Sequence, residues 1–251
     1  MPIAFLFAPL FGLAIGSFLN VVAWRMPRGE SLAHPASHCP GCDHPVRPYD
    51  NLPVLSWLLL RGRCRDCHEP ISARYPIVEA VTAALYVAVV AAKWDDVLTI
   101  ALGLGLMTLL VPMTLIDLEH RIIPNRLLAP FAVLAIAHGL ALDPSYVPEQ
   151  LIAGAAGGGF FLAAAMAYPR GMGMGDVKLV AVLGLYLGRA VAPAIFFGLI
   201  AGVLVGAVIM ARLGREAGRK TAVPFGPFLA IGAVLAFFVG NGLMDSYLER
   251  F

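Results

Sequence analysis

Six side chains have the types and spacing to do chemistry. Cys39-Pro-Gly-Cys42 and Cys64-Arg-Asp-Cys67 are two Cys-x-x-Cys pairs separated by 21 residues. Each pair sets two thiolates on one tight turn, and two such turns close a tetrahedron around Zn²⁺. Four sulfurs leave no open coordination position, so the expected metal is structural. Disulfides or a redox pair are the alternatives. His38, His44 and His68 flank the turns and are read as surface or outer-shell residues. The other two candidates are carboxylates. Asp117 stands in Thr114-Leu-Ile-Asp117, and Asp176 in Gly173-Met-Gly175-Asp176-Val-Lys178. Each lies at the end of an apolar stretch, where an ionisable residue is a candidate site by default. Two Asp side chains brought together there would share one proton. One could then activate water while the other protonates a departing group, as in aspartic proteases. The glycines beside Asp176 permit close approach of an extended peptide, and Pro124 could orient a loop over the site. Asp176 could instead be a helix cap. Asp117 fits that reading poorly, because an anion at a helix C-terminus opposes the dipole. Glu79 and Lys178 are further charges in apolar surroundings, expected to pair with each other or with an Arg as readily as to act directly.

The elements that must hold these groups belong in a membrane. The chain has 251 residues, 59% hydrophobic and only 14% charged, with mean hydropathy +0.80. Soluble domains carry about 25% charged residues. This composition excludes a disordered chain, a basic nucleic-acid arm and an ordinary soluble enzyme. A spanning helix needs about 20 apolar residues. Eight stretches qualify, at roughly 3–24, 76–92, 97–116, 127–142, 150–168, 176–190, 191–211 and 223–243. The fold class is therefore an all-α polytopic membrane protein. Glycines four apart, as in Gly12/Gly16, Gly154/Gly158 and Gly202/Gly206, could let helices approach closely. The first stretch lacks the basic start and cleavage site of a signal peptide. The polar segment 25–75 holds all four Cys and reads as an aqueous, zinc-binding insertion between the first helix (1–24) and the remaining membrane region (76–251).

Basic residues favour the cytoplasmic face. With the N-terminus outside, only Lys93, Arg189 and Arg250 remain on the outer side. The insertion and both Asp then face the cytoplasm, where thiols stay reduced, which weighs against disulfides. On the residues alone, a transporter relaying protons and a non-catalytic zinc-ribbon scaffold stay open beside a peptidase.

The chain also resembles the type IV prepilin peptidases, membrane-embedded aspartic enzymes. The resemblance is carried by Gly16-Ser-Phe-Leu-Asn20 through Pro27, the two Cys pairs, Tyr49-Asp-Asn51-Leu-Pro53 through Trp57, and Ile71-Ser-Ala-Arg74-Tyr75-Pro76-Ile-Val-Glu79. It continues through Asp117, Ile123-Pro124-Asn125, Gly173-Met-Gly-Asp176-Val-Lys178 and Pro224-Phe-Gly226-Pro227-Phe228. It implies a bacterial inner-membrane enzyme that cuts the basic leader from prepilins and pseudopilins, with Asp117 and Asp176 as the dyad. It also implies N-methylation of the new terminus with S-adenosylmethionine, at a site no residue here marks. Relatives often carry Gly after Thr; here Thr82 is followed by Ala83. Oligomeric state is not legible.

Overall fold

The computed structural model describes residues 2–168, 172–214 and 223–250. Among them every regular element is helical. There are eight long helices and one short one: α1 Pro2–Arg25, α2 Leu55–Leu59, α3 Arg74–Ala92, α4 Val97–His120, α5 Asn125–Leu142, α6 Val147–Ala167, α7 Met174–Leu187, α8 Val191–Leu213 and α9 Gly226–Leu248. Seven stretches are long and apolar enough to cross a membrane, with Met174–Leu213 counted as one of 40 residues. That stretch is two helices in space. Gly188, at φ 54°, starts a 3₁₀ turn over Gly188–Ala190 that breaks it, since a left-handed residue cannot continue a right-handed helix. At 14 residues, α7 is about 21 Å long, short of the roughly 30 Å hydrocarbon core. Arg170, Arg215, Arg219 and Lys220, which the charge balance assigns to the inner face, lie outside the described residues.

The chain forms two compact units, Met1–Trp94 and Asp95–Phe251. In the first, α1 packs along α3, and glycine sets the closeness. A Cβ on Gly12 would lie 2.5 Å from the Ala83 Cα, and one on Gly16 would lie 2.7 Å from the Glu79 Cα. The insertion rises between these helices. Buried Arg25 donates to the carbonyls of Ser31 (3.0 Å) and Pro35 (2.7 Å). The Trp57 indole donates to the Ile71 carbonyl at 3.0 Å. Arg65 grips Asp50 at 2.6 and 2.9 Å, and Arg47 meets Asp66 at 2.8 Å.

In the second unit, α4 packs on α5 and α9, α6 on α7, and α8 on α9. Its core is Leu106, Met107, Leu109, Met113 and Ile116 of α4 with Leu179 and Leu183 of α7, Phe161 of α6 and Leu229 of α9. The close crossings again use glycine. A Cβ on Gly184 would sit 2.5 Å from the Gly154 amide nitrogen, and one on Gly158 2.8 Å from the Ala181 methyl. Gly206 has open space around it, so the 202/206 pair is not a crossing; Gly198 meets α9 instead. Fully buried Gln150 ties three helices by donating to the carbonyls of Ala135 (3.1 Å) and Leu185 (2.7 Å).

Gly184→Ala is expected to lower stability by about 1–3 kcal/mol, because the obstructing atoms are backbone and cannot yield. Gly159→Ala, with nothing within 4 Å, should leave the melting temperature in detergent unchanged or slightly raised. Parallel thermal scans of the two variants check this.

Candidate active site and metal centre

Three connections at one end of the second unit line a single cavity of about 580 Å³: Asp117 to Ile123 from α4–α5, Met172 to Asp176 from α6–α7, and Val223 to Phe225 from α8–α9. Asp117 and Asp176 both open onto it. Asp117 is buried, three residues before the end of α4. Its Oδ2 accepts the Gly226 N–H at 2.9 Å. That amide belongs to the first turn of α9 and has no partner within its own helix. The positive end of α9 therefore offsets the unfavourable dipole of α4 around the anion. Asp176 is the third residue of α7, whose N-cap is Gly173 with no side-chain cap. The Asp176 carboxylate accepts the amide of Gly173, so it caps the start of α7 from the third position while also opening onto the cavity. A Cβ on Gly226 would stand 2.6 Å from the Asp117 Oδ2, and one on Gly175 3.1 Å from the Ile123 Cβ. Only glycine leaves these walls where they are.

The chain from α4 to α5 turns sharply over the site. Arg121, at φ 56°, caps α4 and donates its amide to the Asp117 carbonyl. Pro124 is extended and caps α5. Lys178 donates to Asn125 at 3.1 Å. Glu79 has other partners: its Oε2 accepts the Val54 N–H at 2.7 Å and its carboxylate binds the Ser17 hydroxyl. An amide and a hydroxyl already satisfy it.

The four cysteine sulfurs lie within 4.8 Å of one another, with Cys39 and Cys67 3.6 Å apart. Sulfurs about 2.3 Å from one tetrahedral zinc stand about 3.8 Å apart, so the cluster could hold such an ion. The two turns have the same construction. In each, the first Cys amide bonds the carbonyl five residues on (Cys39 to His44, Cys64 to Glu69), and the residue after the second Cys, Asp43 or His68, is left-handed. His38↔Pro45 and Arg63↔Pro70 close them as antiparallel bridges. The amides of Cys67 and Asp66 donate to the Cys64 sulfur and pull its thiol down to about 7, the thiolate form that a metal needs. None of the flanking histidines joins the sulfur group.

Comparison with known proteins follows the same division. Residues 10–93 match a family profile described as the bacterial peptidase A24 N-terminal domain, and residues 104–211 match the type IV leader peptidase family. A protein of Dichelobacter nodosus named prepilin leader peptidase/N-methyltransferase is 35% identical across 95% of this chain and 93% of its own length. Proteins of that name from Bacillus subtilis (strain 168) and Myxococcus xanthus (strain DK1622) are 36% and 38% identical, over 96% and 86% of this chain and 96% and 68% of their own lengths. The chain belongs to the type IV leader peptidase family. No solved structure matches it.

Within this leader peptidase, the first profile covers the cysteine unit and the second covers both aspartates. In the sequence Gly226 stands only as part of a motif, and nothing there marks Arg121, Ile123, Met172 or Phe225 as lining the site. The signal available was Pro227 after Gly226, which marks a helix start and hence a free amide beside it.

Purified protein is expected to carry one zinc per chain by elemental mass spectrometry, and Cys64→Ser to lose most of it. Zinc needs deprotonated ligands, so protons compete with it. Affinity, read by competition with a chromogenic chelator, should fall steadily as pH is lowered, because the Cys42 thiol, pushed up to about 12, must give up its proton to the metal, and should fall more steeply below about 7, where the Cys64 thiolate also protonates.

Proposed function

We propose that this protein removes the leader peptide from type IV prepilins and pseudopilins by aspartic catalysis, then methylates the new N-terminal amine with S-adenosylmethionine. The observation that carries the reading is the cavity shared by Asp117 and Asp176 in a chain of this family. In the proposed reaction the two carboxylates share one proton. The ionised one takes a proton from a water whose oxygen attacks the scissile carbonyl, and the other protonates the departing nitrogen. The C–N bond breaks, leaving an acid on the leader and an amine on the mature pilin. The cavity's glycine walls suit an extended chain, and its apolar lining of Ile122, Ile123, Met172, Val223 and Phe225 suits a substrate arriving from lipid.

The protein would sit in the bacterial inner membrane with its N-terminus outside, and with the cysteine cluster and the aspartates facing the cytoplasm. The balance of basic residues supports this orientation. The four cysteines would hold a structural zinc that stabilises an insertion too small for a core of its own. The insertion over 25–75 would form the metal-binding domain, and the remainder would provide the membrane scaffold and peptidase. S-adenosylmethionine, when bound, would supply the methyl group.

The test is incubation of purified protein with a prepilin, with and without S-adenosylmethionine, followed by mass spectrometry. Leader loss, plus one methyl only when the donor is present, is expected. Asp117→Asn and Asp176→Asn should each lower cleavage by about 10²-fold or more while the protein still inserts and melts normally. Normal cleavage by either variant would refute the dyad. Gly226→Ala should also slow cleavage, because its methyl displaces the Asp117 carboxylate.

A further inference from the structure

The insertion carries an apolar surface that the reaction above does not use. On α2 and the residue three before it, Leu52, Leu55, Leu58 and Leu59 are 50%, 58%, 58% and 79% exposed. Their spacing places them on one side, while Ser56 points the other way and is buried, its hydroxyl donating to the Leu52 carbonyl at 2.6 Å. Four exposed leucines within eight residues are costly in water, and a five-residue helix has too little backbone to hold itself. Two bonds fix its place. The Val54 N–H reaches Glu79 Oε2 at 2.7 Å, and the Trp57 indole bonds the Ile71 carbonyl at 3.0 Å. Val54 is held at φ 61°, a genuine outlier for a β-branched residue, so the chain accepts strain to make the first of these bonds.

That bond sets the depth of α2. Glu79 is the sixth residue of α3, about 7.5 Å along the axis from Arg74. The headgroup layer is roughly 5–8 Å thick on each face. Its level is marked in this unit by Trp24, 49% exposed with the Arg28 guanidinium 3.6 Å over its ring, and by Tyr75, 45% exposed. Aromatic residues of this kind collect at the membrane interface. The start of α2 therefore lies at the lower edge of that layer, beside helices that themselves face lipid. Immediately after the leucines come Arg61 and Arg63, both exposed. A left-handed turn at Arg61 and Gly62 leads the chain back toward the cysteine cluster. Gly62 is required there, since a Cβ would lie 2.8 Å from the Trp57 ring.

We propose that α2 is an interfacial foot: Leu52, Leu55, Leu58 and Leu59 lie in the acyl boundary of the bilayer, and Arg61 and Arg63 meet anionic lipid phosphates. The partner is lipid, because the Val54–Glu79 bond holds the start of α2 against α3 near headgroup level and the patch ends in cations there. The foot anchors the metal-binding insertion to the membrane plane. This inference does not depend on the reaction proposed above.

The test uses the full-length protein in nanodiscs of phosphatidylcholine and phosphatidylglycerol, with p-benzoylphenylalanine placed singly at Leu58, Leu59, Phe11 or His44. Phe11, 60% exposed on α1, is the lipid-facing control, and exposed His44 is the aqueous one. After irradiation, peptides carrying positions 58 and 59 should bear lipid adducts at a yield like that of position 11 and several-fold above position 44. Adducts at 11 but not at 58 or 59 would overturn the foot, as would cross-linking of 58 or 59 to a second copy of the chain. In a second arm, Arg61→Gln with Arg63→Gln should lower the ratio of phosphatidylglycerol to phosphatidylcholine adducts at 59 several-fold. An unchanged ratio would refute the phosphate contacts.

Discussion

A carboxylate inside a membrane protein must find donors that are not water, and here a helix end supplies one. The Gly226 N–H bonds Asp117 at 2.9 Å, at the point where α9 begins and its first amides are free of helical partners. Much follows from that contact. It holds the start of α9 against the end of α4, and it requires glycine at 226. It leaves the other carboxylate oxygen of Asp117 for the cavity that Asp176 also lines. The site is thus made from helix termini, the one place in a helical membrane protein where backbone donors are available without breaking a ladder.

Close packing of helices is the second requirement, and glycine meets it where lipid offers no hydrophobic drive. The crossings of α6 with α7, α8 with α9 and α1 with α3 each depend on a glycine facing backbone. The α6–α7 crossing bears most directly on the site, because it sets the position of the helix that carries Asp176. Gln150 adds polar bonds to α5 and α7 from the same helix, so α6 is tied to both neighbours by more than packing.

The sequence made much of this legible, for identifiable reasons. Helix extents followed from apolar runs because spanning segments must be long and uncharged; the boundary expected between 190 and 191 falls at the end of the Gly188–Ala190 turn. The cysteine cluster was legible because metal geometry constrains spacing. What escaped was whatever depends on three-dimensional pairing between distant residues. The last helix begins at Gly226 and not at 223, because Pro227 favours the first turn. Glu79 resembled an ion-pair partner because its neighbours in sequence are apolar, whereas Val54 and Ser17 reach it from elsewhere in the chain. The likeness of the two cysteine turns, down to Pro45 and Pro70, lies in backbone bonds that residue identity only partly shows.

The alanine after Thr82 can be judged on the same physical grounds. The family resemblance in the sequence implies glycine there. In the structure Ala83 is buried and its Cα faces Gly12 so closely that a Cβ on Gly12 would stand 2.5 Å away. Position 83 is therefore on the α1–α3 contact. The pressure for a small residue at 83 comes from the partner helix, and a methyl group fits because Gly12 has already given up its own. Alanine in place of glycine here also favours the helix, by about 1 kcal/mol in an exposed setting. The alanine is therefore placed by the packing of α1 on α3 within the first unit.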